Sequence, residues 1–143
     1  MLIGLDPVLS PELLHALAAM GHGDRIVLVD ANYPATRGRR LIALPGIDVV
    51  RALTAVLSVL PCDTFVPVPA AIMQVVGTPD AVPAVVTEMN VVLALHGWPV
   101  AVGTERHAFY EAAATAYAIV QTGERRLYGN ILLFKGVIPP EGA

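Results

Sequence analysis

His22 lies in the run Gly21-His22-Gly23-Asp24, where a helical pattern of apolar residues ends. Asp30 closes the apolar run 26–29 that follows. An imidazole titrates near neutral pH, so it can both give and take a proton. A carboxylate beside it either grips hydroxyl groups or orients the ring. Arg106 stands in the first turn of another helical pattern, where the helix dipole disfavours a cation by roughly 0.3–1 kcal/mol. A cation at such a place points to a ligand or partner that meets it. Tyr128-Gly129-Asn130 adds a hydroxyl and an amide, which together supply donors and acceptors for a polyhydroxylated ligand. Gly129 permits a sharp backbone turn between them. These residue types suit acid–base chemistry on a small polar molecule.

Each has a plainer reading. Asp30 also suits an Asx-turn that opens the loop Ala31-Asn32. His22 also suits a helix C-terminus, where the dipole favours a cation. Arg106 can pair with Glu105 or Glu111, and Tyr128 can pack beside an ordinary turn. His15 and His96 have no motif around them and read as structural; His107 either shares the Arg106 site or fills the next position. Arg37, Arg39 and Arg40 read as a solvated loop. Gly21-x-Gly23 is no dinucleotide fingerprint, because it precedes its strand and lacks the third glycine. No nucleophile triad and no metal-ligand spacing is present, so neither a cofactor nor a metal is expected.

The elements that must place these groups alternate along the chain. Ser10-Pro11-Glu12 is a helix start, with a cap, a proline at the first position and an acid near the positive dipole end. Leu13, Leu14 and Leu17 form its apolar face, and Gly21 is its expected stop. Residues 26–29 read as a strand buried on both faces. Residues 31–46, with Pro34, Gly38 and Pro45, read as a long loop. A helix is expected over 47–60, extended segments over 64–68 and 71–76, and a third helix from a cap at Thr78 or Asp80 to about Leu95. A strand over 99–102 leads to a helix over 105–116 capped by Thr104. Strands over 117–121 and 130–135 finish the chain; the short turn between them suggests that they pair antiparallel. This order favours a three-layer α/β/α, Rossmann-like domain with a mixed, mostly parallel sheet, made of the whole of residues 1–143.

The chain has 143 residues, 55% of them apolar and 15% charged, with a mean hydropathy of +0.64. A domain of this size cannot bury so much apolar surface alone, so part of it is expected in contacts between subunits. A membrane location is not expected, since charge, Pro or Gly interrupts every long apolar run. Nine basic against twelve acidic residues give a net charge of −3, which argues against a nucleic-acid partner. The single cysteine, Cys62, leaves no internal disulfide. No basic-then-apolar leader opens the chain, so a cytoplasmic location is expected.

Four pieces, in order from end to end, together resemble the RbsD/FucU sugar-mutarotase family. They are Pro11-Glu12-Leu13-Leu14 leading to Met20-Gly21-His22-Gly23-Asp24; Asp30-Ala31-Asn32-Tyr33-Pro34; Arg106-x-Ala108-Phe109-Tyr110-Glu111; and Thr122-Gly123-Glu124-Arg125 with Tyr128-Gly129-Asn130-Ile131-Leu132-Leu133. The branch acting on L-fucose matches best. The branch acting on D-ribose usually has a histidine where Arg106 stands and Ala in place of Gly129. Residues 35–45 and 77–100 depart from the family pattern. The resemblance implies a Rossmann-like fold without nucleotide and a homo-oligomer, often a decameric ring, with sites near subunit contacts. It implies exchange of the α and β anomers of a monosaccharide, with His22 as proton donor and Asp30, Arg106, Tyr128, Gly129 and Asn130 holding the sugar. Two other readings stay open on the same scaffold: a D-ribose pyranase-type mutarotase, and a non-catalytic sugar-binding or regulatory subunit.

Overall fold

The structure, a computed structural model, describes residues 1–142. Helix α1 (Pro11–Ala19) begins where the Ser10 side chain accepts the Leu13 N–H, with proline in the first turn. It ends before Gly21: Met20 leaves the helix in an extended conformation, and the left-handed residue is Gly23, at φ +83°. Strand β1 (Arg25–Val29) follows. The expected loop over 31–46 contains a short 3-10 turn, Ala35–Arg37, and strand β2 (Leu41–Leu44). β2 is four residues long and alternates exposed and buried, a signal too brief to stand out among the prolines, glycines and arginines before it.

Helix α2 (Val49–Leu57) is capped by Asp48, whose carboxylate accepts the Arg51 N–H. Residues 64–68 are not a strand; they bend, and strand β3 (Ala70–Met73) starts after Pro69. Helix α3 (Ala84–Leu95) begins after Pro83 with no side-chain cap, so neither Thr78 nor Asp80 starts it. Strand β4 (Val102–Thr104) lies later than expected. Helix α4 (Arg106–Ala114) is capped by Glu105 rather than Thr104: one carboxylate oxygen of Glu105 accepts the N–H groups of His107 and Ala108. Strands β5 (Ala118–Thr122) and β6 (Ile131–Phe134) complete the fold.

The six strands form one sheet in the order β2-β5-β1-β6-β3-β4. The pairs β2–β5, β5–β1 and β3–β4 are parallel; β6 runs antiparallel to both β1 and β3. The sheet is mixed, but β5 and β6 do not pair with each other, because β1 lies between them. Alternation along the strands feeds two cores. Ile26, Leu28, Val120 and Leu133 pack with Leu13, Leu53 and Met89 of α1, α2 and α3. Val27, Val29, Ile119 and Leu132 pack with Phe109 and Ala113 of α4. Three helices thus cover one face and one helix the other. No helix among the described residues is long and apolar enough to cross a membrane.

Candidate active site

The carboxyl ends of β1 and β3, the loop before β6 and the start of α4 surround one cavity of about 180 Å³. Crevices beyond strand carboxyl ends are where open α/β sheets hold ligands. Asp30, Arg106, Tyr128 and Asn130 all line it, with Tyr33, Tyr110, Met73, Val76 and Leu127 completing the wall. Asp30 is buried, and its Oδ1 accepts the Asn32 N–H at 3.0 Å. It therefore makes the Asx-turn and faces the cavity at once. The Asp30 main-chain N–H donates to Asn130 Oδ1 at 2.9 Å, so each of the two residues fixes the other. Burial pushes the Asp30 carboxyl above its usual range, against the hydrogen bonds that it accepts; the nearby Glu124 charge adds to the rise.

Among the described residues Arg106 forms no ion pair within 4 Å. Its Nε is buried and has no hydrogen-bond partner. A buried donor without an acceptor costs about 1–3 kcal/mol, so this one is set for an oxygen that arrives from outside. Tyr33 is pushed up to about 12, mainly by burial, and stays a neutral phenol; its ring meets Tyr110 edge-on at 5.4 Å.

Tyr128 is the one non-glycine with a positive φ, +67°, among the described residues. Such a conformation is strained for a bulky side chain and is kept where surrounding structure over-determines it. Gly129 is not left-handed. A Cβ there would lie 2.8 Å from Glu124 Cγ and 3.3 Å from Val49 Cγ1, so the glycine is required by close approach. The turn carrying Tyr128 and Asn130 rests on Glu124, a buried acid. Arg126 ties Glu124 to Glu88 on α3 with hydrogen bonds at 2.9–3.0 Å. These contacts hold the Glu124 carboxyl below the usual range.

His22 does not reach this cavity within its own chain. It precedes β1 while Asp30 follows it, and five residues at about 3.3 Å each put about 17 Å between the two ends. Asp30 therefore does not orient the imidazole of its own chain. The carboxylate against His22 is Asp63, after α2, at 3.0 Å from Nε2 to Oδ1. Asp63 is buried at 1% exposure, and the His22 side chain is 43% exposed. The same Asp63 oxygen accepts the Phe65 N–H at 3.0 Å, and the Phe65 ring lies edge-on to the imidazole. Burial would raise the Asp63 carboxyl, but the Phe65 N–H and His22 outweigh it and hold it below the usual range. With Nε2 engaged on the carboxylate, Nδ1 is the free nitrogen.

Sequence reasoning missed Asp63, Phe65 and the Glu124–Arg126 strut. The available signal for Asp63 was an acid two residues before an aromatic, in the run Cys62-Asp63-Thr64-Phe65. Among the described residues no three His, Cys, Asp or Glu side chains are grouped to hold a metal ion.

The model of the RbsD / FucU transport protein family matches residues 3–138. The chain is similar to a fucose mutarotase of Homo sapiens, 46% identical, with 94% of this chain and 93% of that protein covered. It is likewise similar to an L-fucose mutarotase of Glaesserella parasuis, 44% identical, with 97% of each covered. The structure of the fucose mutarotase from Streptococcus pneumoniae in complex with L-fucose superimposes with a TM-score of 0.91 at 38% identity, covering 96% of this chain and all of that one. A chain aligned over nearly its whole length with such proteins, and carrying their fold, belongs to the RbsD/FucU family.

Proposed function

We propose that the chain is a cofactor-independent mutarotase that interconverts the α and β anomers of L-fucose. The observation that carries this reading is the convergence of Asp30, Arg106, Tyr128 and Asn130 on one cavity, with a buried Arg106 Nε that lacks an acceptor. Relatives named fucose mutarotase support the same substrate. Arg106, Asn130 and Asp30 grip sugar hydroxyls, and the apolar side of the cavity, Met73, Val76 and Leu127, takes the carbon face of the ring.

Anomer exchange needs a proton delivered to the ring oxygen and a proton removed from the anomeric hydroxyl. The bond from C1 to the ring oxygen then breaks, the aldehyde rotates, and closure on its other face reverses both transfers. His22 delivers the first proton from Nδ1, with Asp63 stabilising the imidazolium. The Tyr128 oxygen takes the second and returns it on closure.

The pocket and the dyad lie at opposite ends of one strand, so a second copy of the chain supplies the dyad to each pocket. The protein therefore works as a homo-oligomer, with the decameric ring of the family as the expected assembly, in the cytoplasm. The exposed Phe65 and His22, next to apolar Val66 and Val68, give this contact its surface.

Saturation-transfer NMR on L-fucose tests the function. Wild type is expected to raise the exchange rate between anomer signals, and His22→Ala to abolish the increase. Tight binding of one anomer with no faster exchange would instead identify a sugar-binding subunit. A panel with D-ribose and D-galactose sorts the substrate, with L-fucose expected first.

A further inference from the structure

Tyr128 has a partner that the mechanism above leaves unused. Its hydroxyl oxygen accepts the main-chain N–H of Val76 at 3.1 Å. Val76 belongs to the loop after β3, where Thr78 N–H donates to Val75 O at 3.2 Å and Gly77 has φ +80°. With Val76 itself at negative φ, this is a type II turn, with Val76 at its second position and the obligatory glycine at its third. In such a turn the second residue's N–H takes no part in the closing hydrogen bond. Here it is aimed at the phenol instead.

We propose that the Val76 N–H is a positioning donor for Tyr128, holding its oxygen at the cavity wall and supporting negative charge on it. The inference rests on the mutarotase reading for its role in catalysis. An oxygen that receives the proton of the anomeric hydroxyl must carry charge beforehand, and a phenolate in a half-buried cavity needs a donor. Of the charged and titratable groups sharing the cavity, Arg106 on α4 favours a phenolate. Asp30 opposes it, and burial keeps the neighbouring Tyr33 a neutral phenol. Nearest in sequence, Arg126 is paired with Glu124, and Arg125 is exposed. The loop 74–79 carries no charged side chain, so its contribution is the N–H alone. The left-handed backbone at Tyr128 accompanies this contact, as strain does where surrounding structure over-determines a residue.

The turn itself offers a clean test. Proline is favoured at the second position of a type II turn, so Val76→Pro keeps the loop and deletes the donor. Val76→Ala keeps the donor and trims the side chain. Two measurements are made on the full-length protein. The first needs no sugar: tyrosinate absorbance is titrated in each variant, and the Tyr128 contribution is taken by difference from the matching Tyr128→Phe protein. Tyr128 is expected to ionise at higher pH in Val76→Pro than in wild type or Val76→Ala. The second is the pH profile of L-fucose anomer exchange. Val76→Pro is expected to lose about tenfold to a hundredfold in kcat at neutral pH, the worth of a hydrogen bond to a charged group. The deficit is expected to shrink as pH rises and the phenolate forms unaided. An unmoved Tyr128 titration in Val76→Pro, or a deficit constant across pH, would overturn the inference. Failure of wild type to speed exchange, with the titration still shifted, would instead count against the mutarotase reading and leave the hydrogen bond standing.

Discussion

Strand β1 has two ends with opposite characters. At its carboxyl end Asp30 is sunk in a walled cavity with Arg106, Tyr128 and Asn130 around it. Before its amino end His22 stands half out of the protein, braced by Asp63 beneath and Phe65 beside it. The first region has polar side chains around a cavity and an orphaned donor, but no imidazole in its lining. The second has an oriented acid–base pair and no enclosure. Proton transfer needs heavy atoms within about 2.6–3.2 Å, and the span of β1 forbids that within one chain. On the proposed mechanism, a small fold keeps its sugar pocket and its imidazole on separate rigid ends and joins them by association.

The sharpest break of this comparison is His22→Ala. It is expected to cost about 10²–10⁴-fold in anomer exchange, the usual worth of a placed acid–base group, while L-fucose still binds. Titration calorimetry beside the NMR assay separates the two effects; loss of both would place His22 in sugar binding. Arg106→Ala should act at the other end only. It is expected to lower kcat/KM by about tenfold to a hundredfold, chiefly through KM, because a charged donor to a hydroxyl is lost from ground and transition state alike. A change in kcat alone would mean that Arg106 contacts the reacting atoms.

The two aspartates give the comparison opposite signs. Asp63 is held below its usual range, so it stabilises the fold above about pH 4, and the contribution is lost as pH falls through its lowered value. Asp63→Asn should therefore melt lower than wild type at pH 7, with the gap closing in acid, and should exchange anomers about tenfold more slowly because the imidazolium is no longer paired. Asp30 is held above its usual range, so the fold tolerates its proton better than its charge. Its favourable contribution is present below about pH 4 and is lost as pH rises through the raised value. Asp30→Asn should then melt higher than wild type at pH 7, with no gap in strong acid, while losing activity. Melting curves of both variants across pH 3–7 check the pair; shifts of the same sign would contradict the contrast.

The residues that line the cavity were legible in the sequence because they are local and unusual. A cation in a helix's first turn, a Tyr-Gly-Asn run before a strand and an acid after one each state a position at a strand or helix end. The fold class was legible for the same reason, from short continuous apolar runs alternating with helical patterns of period 3.6. The dyad was not. Asp63 lies far from His22 in sequence, on a bend that carries no strand or helix pattern, and only the Cys62–Lys135 bridge and the neighbouring β6 bring it there. Strand β2 escaped notice because four residues show just two alternations. The antiparallel pairing expected of β5 with β6 failed because sheet order is a long-range property: a short connection permits a hairpin, but β1 takes the place between them. Gly129 was read from the sequence as permitting a sharp turn; the structure adds a need that no local pattern announces, space beside Glu124 and Val49.

The claim that two chains build each site is tested most directly by mixing. His22→Ala and Arg106→Ala proteins, each impaired alone, are unfolded together and refolded, and L-fucose anomer exchange is measured by saturation-transfer NMR well below KM, where the Arg106→Ala defect is expressed, beside the separately refolded parents. Joining an intact dyad from one chain to an intact pocket from the other should restore exchange well above either parent. A mixture that associates yet stays as slow as its parents would contradict it.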